Sequence, residues 1–314
     1  MMNDSILEIK SLSLGDKSKG ITYVENLSLN IKKGEIVGIV GESGCGKSLT
    51  CKAILGLLPG NIQVTSGEIL FDGIKLESNI DLFRGSRITM IFQEPRRALH
   101  PLKNVGKQIE EVLNIHSNMS RKNKKRRVLE IMDMVKIPEP EKRYYQFPHQ
   151  LSGGLCQRVI IGIAIAMNPD LIIADEPTTA LDVTVQKGIL SLLYELNNKY
   201  NTSIIFVSHD LAVVSQIADR AYVMYCGQLV EEANVIELFD NPLHPYNKSL
   251  LNSMNSINGK EELISIDGMV PNPKNYSEFC RFYDRCSEKN NKCVGKKPVW
   301  KDLGERKVRC VKFE

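Results

Sequence analysis

Four unbroken apolar runs stand out along the chain: Ile36-Val37-Gly38-Ile39-Val40, Leu171-Ile172-Ile173-Ala174, Ile204-Ile205-Phe206-Val207 and Ala221–Tyr225. Short runs without alternation predict strands covered on both faces. Between and before them the spacing predicts helices over Lys47 to about Leu57, closed by Pro59-Gly60, and over Val159–Met167, Thr184–Tyr200 and Leu211–Asp219. Residues 5–110 read as short strands around the Lys47 helix, with Tyr23–Leu27 in a strand, and residues 111–170 as mainly helical. Strand–helix–strand alternation from 171 to about 232 predicts an α/β fold with a parallel sheet. A helix at about Asn234–Phe239 ends at Asn241-Pro242, and a short one follows at Asn247–Met254. Beyond that the apolar pattern fades.

The chemistry sits where the pattern breaks. Gly41-Glu42-Ser43-Gly44-Cys45-Gly46-Lys47-Ser48 joins the first run to its helix and fits G-x-x-x-x-G-K-[ST]. Glycines let backbone N–H groups curl around phosphates, and the helix N-terminus favours negative charge. Lys47 would hold the β- and γ-phosphates and the Ser48 hydroxyl would ligate Mg²⁺. Gly41, Ser43, Gly44, Cys45, Gly46 and Leu49 complete the candidate nucleotide loop.

The run Leu171–Ala174 ends in Asp175 and Glu176. A buried strand delivering an acid at its carboxyl end suits Mg²⁺, and the next carboxylate is placed to polarise an attacking water. A second anion site is legible in Leu151-Ser152-Gly153-Gly154, where a capping serine and two glycines precede an apolar helix.

With these landmarks the chain resembles the ATP-binding-cassette (ABC) ATPases over about residues 5–245. Ser152, Gly153 and Gly154 match the signature motif of that family, although Leu155 stands where Gln or a similar residue is usual and Gln157 follows two positions on. Gln93, in Ile91-Phe92-Gln93-Glu94-Pro95, matches the glutamine that joins Mg²⁺ and the attacking water to the membrane-domain contact. Ala180-Leu181-Asp182 resembles the dimer-contact loop, and His209 the switch histidine. The resemblance implies a head-to-tail pair of cassettes, with Ser152, Gly153 and Gly154 acting on the partner's ATP. It implies catalytic roles for Glu176, His209, Gln93 and Lys47, and Mg²⁺ contacts from Ser48, Gln93 and Asp175. The place of the adenine-stacking aromatic is held by Leu14, with Tyr23 the nearest ring.

Composition changes the picture little. A chain of 314 residues with 42% hydrophobic and 25% charged residues allows one large domain and an appendage. A net charge of +4 is too small to argue for nucleic acid. The basic run Arg121–Arg127 opens an amphipathic helix pattern, read as a solvated face, with contact to anionic lipid the sharper alternative. With no apolar run of membrane length and a charged, mixed start, other subunits would have to form any pore.

The last stretch, residues 246–314, carries Cys280, Cys286, Cys293 and Cys310. So polar a segment makes a poor core by itself, and a metal or disulfide staple would compensate. Four irregularly spaced thiolates suit a [4Fe–4S] cluster; zinc and uncoordinated or paired cysteines are the alternatives. Lying far in sequence from Lys47 and Glu176, the extension is not expected to take part in hydrolysis. His244-Pro245-Tyr246, Val270-Pro271-Asn272-Pro273 and Arg309-Cys310 resemble the C-terminal extension of di- and oligopeptide importer ATPases. That resemblance implies an ATPase on the cytoplasmic face of the membrane, paired with a second related ATPase, two permeases and an extracellular binding protein. Nickel or metallophore import is the near alternative, and a soluble ABC ATPase acting on ribosomes or DNA the distant one. The expected layout is an ABC cassette over 1–245, with a helical subdomain at about 94–170, and the cysteine-rich extension over 246–314.

Overall fold

The computed structural model describes residues 4–179, 181–257 and 266–314, with the side chains of 254–257 left aside. The chain divides into two compact units. One holds residues 1–6, 32–35 and 79–205; the other holds 7–31, 36–78 and 206–314.

In the first unit, strands Ile88–Ile91 and Leu171–Asp175 pair in parallel, from Ile88 opposite Leu171 to Ile91 opposite Ala174. Every residue of both strands is buried, as the unbroken apolar runs require. The helices Val105–His116, Arg121–Met134 and Gly153–Ile165 bury Ile109, Leu113, Val128, Ile131, Val159 and Ile161. Each of the two later helices opens on a serine cap: the Ser120 hydroxyl accepts from Asn123 N–H and the Ser152 hydroxyl from Leu155 N–H. The basic run lies on the Arg121–Met134 helix, whose buried positions are Val128, Ile131 and Met132. Asp182 caps the long helix Val183–Tyr200 by accepting from Val185 N–H at 2.9 Å. Helices therefore open before the expected 111, among them the short helix Pro95–Ala98 and then Val105–His116.

The second unit departs more from expectation. Its N-terminal part is built from long strands, not short ones: Ser5–Asp16 and Ile62–Phe71 run antiparallel, from Leu7 opposite Phe71 to Asp16 opposite Ile62. The phosphate-loop strand Ile36–Val40 lies parallel to Arg220–Tyr225. From there the sheet turns antiparallel. Arg220–Tyr225 pairs with an unexpected strand, Gln228–Asn234, through the tight turn at Cys226 and Gly227. Both turn residues have positive φ, 44° and 77°, as a two-residue hairpin of matching twist demands. The helix expected over Leu211–Asp219 shrinks to Leu211–Val214, capped by Asp210.

The cysteine-bearing extension holds together by joining this sheet. Lys307–Arg309 pairs with Gln228–Asn234, placing Val308 opposite Glu231, and Trp300–Asp302 pairs with Lys307–Arg309. Phe282 is 2% exposed and its ring meets Tyr225 at 5.1 Å and Tyr246 at 5.4 Å. The extension, poor in apolar residues of its own, thus borrows the core of the neighbouring strands. Apolar burial of this kind contributes about 2 kcal/mol per large side chain.

Candidate functional site

The first group of site residues lies in the second unit, between the strand Ile36–Val40 and the helix Lys47–Ile54. Gly46 caps the helix with φ 106°, and a Cβ there would stand 2.8 Å from the Met224 methyl carbon and 3.0 Å from Val24. A Cβ on Gly41 would stand 2.0 Å from the Met224 carbonyl oxygen. Only glycine fits either place, so the loop can curl tightly. Lys47 is 4% exposed. Its ammonium donates to the carbonyls of Gly41 at 2.7 Å and Glu42 at 3.1 Å. Ser43 and Gly44 are exposed, Ser48 and Leu49 are half-buried, and Cys45 is buried. Burial pushes the Cys45 thiol above its ordinary range, against the pull of the Lys47 charge. This is a backbone cradle with a cation at its rim, fit for a polyphosphate.

The loop is held from behind. Glu42 N–H donates to the Tyr246 hydroxyl at 2.8 Å, and the Arg285 guanidinium grips the Glu42 carboxylate through both of its terminal nitrogens, at 2.7 and 3.0 Å. Arg285 belongs to the cysteine-bearing extension. Although it lies far in sequence from Lys47, the extension is folded back against the loop by the sheet pairing.

The second group lies in the first unit. Asp175 ends the strand Leu171–Asp175 and is buried; Glu176 follows, 8% exposed, with a left-handed φ of 47°. A non-glycine residue held there is strained and needs support. Support comes from two donors on Glu176 Oε2: Gln93 Nε2 at 3.0 Å and Thr179 Oγ1 at 2.9 Å. The parallel register explains the meeting. Ile91 lies opposite Ala174, so Gln93 and Glu176, each two residues further on, leave the sheet side by side. Thr179 escaped the sequence reading; its only signal is its place three residues after Glu176. Ser152 is exposed at the start of the helix Gly153–Ile165, and its hydroxyl accepts from Leu155 N–H at 3.3 Å. The first-turn N–H groups of Gly153 and Gly154 have no carbonyl within the helix to bond. In the expected dimer loop, Leu181 is half-buried and Asp182 exposed, while Ala180 falls outside the described residues.

His209 follows the strand Ser203–Ser208 and is exposed; beside it Asp210 N–H donates to the Ser208 hydroxyl at 3.0 Å. Leu14 is fully buried in its strand and Tyr23 half-buried in the next, so Leu14 offers no face to a base.

Cys280, Cys286, Cys293 and Cys310 are all half-buried and unpaired by disulfides. They line one cavity together with His244, Phe282 and Lys312. Burial, reinforced by the neighbouring thiols, pushes the Cys280 thiol up to about 11. Among the described residues no group of three or more His, Cys, Asp or Glu is drawn together tightly enough to hold a metal ion.

Residues 24–179 match the family model for ABC transporters, and residues 230–293 match that for the oligopeptide/dipeptide transporter C-terminal region. The chain is 44% identical to the oligopeptide transport ATP-binding protein AppD of Bacillus subtilis, over 99% of this chain and 97% of that protein. It is 42% identical to the dipeptide transport ATP-binding protein DppD of Haemophilus influenzae, over 98% and 95%. Among solved structures, cbiO1 from Clostridium perfringens, part of an ABC transporter complex, aligns with TM-score 0.67 and 29% identity over 76% of this chain and 92% of that one. A dimeric ATP-binding cassette in a post-hydrolysis state with ADP and Pi aligns with TM-score 0.65 and 32% identity, over 73% and 98%. The loop, the paired acids and the C-terminal region agree with these likenesses, and the chain belongs to the ATP-binding subunits of ABC transporters, in their oligopeptide/dipeptide branch.

Proposed function

We propose that this chain binds and hydrolyses ATP to power the import of di- or oligopeptides across the cell membrane. The observation that carries the hydrolytic part is the Glu176 carboxylate, held by Gln93 and Thr179 just beyond a buried strand. Peptide as cargo is supported by the C-terminal match at 230–293 and by the full-length relatives.

In this reading the backbone N–H groups of Gly41–Ser48 and the Lys47 ammonium receive the triphosphate. Ser48, Asp175 and Gln93 would hold its Mg²⁺. Bound Mg·ATP supplies the phosphoryl group and an ion that offsets its charge. Glu176 orients the attacking water and accepts its proton, and Gln93 and Thr179 keep that carboxylate aimed. His209, exposed at the end of its strand, serves as the switch histidine. Ser152, Gly153 and Gly154 offer a helix N-terminus to the ATP of a second, related ATPase packed head to tail. Two permease subunits and an extracellular binding protein complete the assembly, with this chain at the cytoplasmic face. Among the described residues no helix is long and apolar enough to cross a membrane, which agrees with a peripheral place.

The four cysteines are proposed to hold one iron–sulfur cluster of the [4Fe–4S] type. Four soft donors around one cavity suit a polynuclear centre better than a single zinc ion, which needs its ligands to converge.

Reconstitution of the complete transporter in vesicles tests the function. Peptide delivered by the binding protein should stimulate ATP hydrolysis and accumulate inside. Stimulation by a metal chelate, with none by peptide, would replace peptide as the cargo.

A further inference from the structure

We infer that Arg285 is a positioning residue for ATP, setting the phosphate loop through Glu42. The inference rests on the reading of Gly41–Ser48 as the ATP loop.

Glu42 is the second residue of that loop, and it is gripped at two points. Its carboxylate takes a two-pronged guanidinium contact, Nη1 to Oε2 at 2.7 Å and Nη2 to Oε1 at 3.0 Å. Its backbone N–H donates to the Tyr246 hydroxyl at 2.8 Å. Both anchors are themselves fixed. The Arg285 side chain is 8% exposed; its Nε donates to the Asp267 carbonyl at 2.9 Å and its Nη1 to the Tyr225 hydroxyl at 3.3 Å. Tyr246 is fully buried, 4.6 Å from the Tyr225 ring. A forked ion pair sheltered from water fixes orientation as well as position.

The grip passes directly to the residue that meets phosphate. The Glu42 carbonyl, 3.1 Å from Lys47 Nζ, is one of two carbonyls that aim the ammonium. Moving the Glu42 peptide moves that cation. The charge argument points the same way. A carboxylate in a phosphate-binding loop opposes a triphosphate, and the Arg285 guanidinium cancels it. Without Arg285, Glu42 would be both loose and repulsive. ATP affinity is therefore set partly by a residue 243 positions away, next to Cys286 in the cysteine-bearing extension.

The test uses the full-length chain in its assembled transporter. The dissociation constant of a fluorescent ATP analogue is measured alongside KM and kcat for ATP. Arg285→Met should raise Kd about 10-fold or more, with the loss falling on KM more than kcat. Adding Glu42→Gln to Arg285→Met should restore part of the affinity, because it removes the uncompensated charge. An extension that had merely come loose would not be rescued by a change in the loop. Arg285→Lys keeps the charge but loses the fork, and should raise Kd about threefold while the extension stays protease-resistant; this variant decides the matter if Arg285→Met fails to assemble. Unchanged Kd in both Arg285 variants, or a double variant weaker than Arg285→Met alone, overturns the inference. Lys47→Ala serves as control: if it binds ATP normally, the loop assignment fails and not the role of Arg285.

Discussion

The Gln93 amide nitrogen stands 3.0 Å from the Glu176 carboxylate oxygen, on a carboxylate whose backbone is held left-handed. Two residues 83 positions apart meet because two parallel strands end in register. Glu176→Gln should therefore keep ATP binding but slow hydrolysis about 10²-fold or more, since an amide cannot accept the water's proton. Single-turnover assays with accumulation of the ATP-bound closed dimer check this; wild-type turnover at this site would refute the role of Glu176.

Lys47→Ala should nearly abolish nucleotide binding. The buried ammonium is preset by two carbonyls, so its loss removes a positioned, charge-assisted contact to phosphate. Equilibrium binding of a fluorescent ATP analogue to the assembled complex measures the effect.

Ser152→Arg should block turnover at the partner's nucleotide more than at this chain's own. The exposed helix start would gain a bulky cation on the surface proposed to close over the partner's phosphate. Complexes with either Lys47 or its counterpart in the partner disabled would separate the two sites. Loss confined to this chain's own loop would contradict head-to-tail packing.

Anaerobically purified transporter should contain iron and inorganic sulfide in cluster stoichiometry, and Cys286→Ser should lower both. Because Arg285 precedes Cys286 and grips Glu42, that variant should also weaken ATP binding. Iron-free complex with four freely titratable thiols would leave the cluster without support.

A pH effect follows from His244, which is buried and depressed to about 3 from an ordinary 6.5. The unfolded chain takes up a proton between those values and the folded chain does not. Stability from this group is thus complete above pH 6.5 and lost as pH falls toward 3. Glu231, raised by burial, works in the opposite sense. Melting temperature against pH should show a shallower acid decline in His244→Gln than in wild type, provided the glutamine replaces the Nδ1 acceptor used by Tyr246 N–H.

The residues whose chemistry depends on local order were readable in the chain. Asp175 and Glu176 follow an apolar run, and Lys47 and Ser48 open a helix after glycines. What escaped was set by long-range pairing. Cys226-Gly227 does not advertise a hairpin, because Cys226 rarely adopts the φ of 44° it takes here. Lys307–Arg309 is three residues long, too short for alternation to register, yet it joins the extension to the sheet. Thr179 and Arg285 reveal their roles only through the partners that folding brings to them.

The pairing of Lys307–Arg309 with Gln228–Asn234 also sets a timetable for synthesis. Glu231 is fully buried under the finished sheet, and Arg306, 75 residues later, supplies its cation. At roughly 5–20 residues per second, a ribosome leaves that carboxylate without its cation and the strand edge without its partner for about 4–15 seconds. Through that interval the nascent chain carries an open template for foreign strands. Its capture by a chaperone, or its mispairing, is decided before the last strand has been translated.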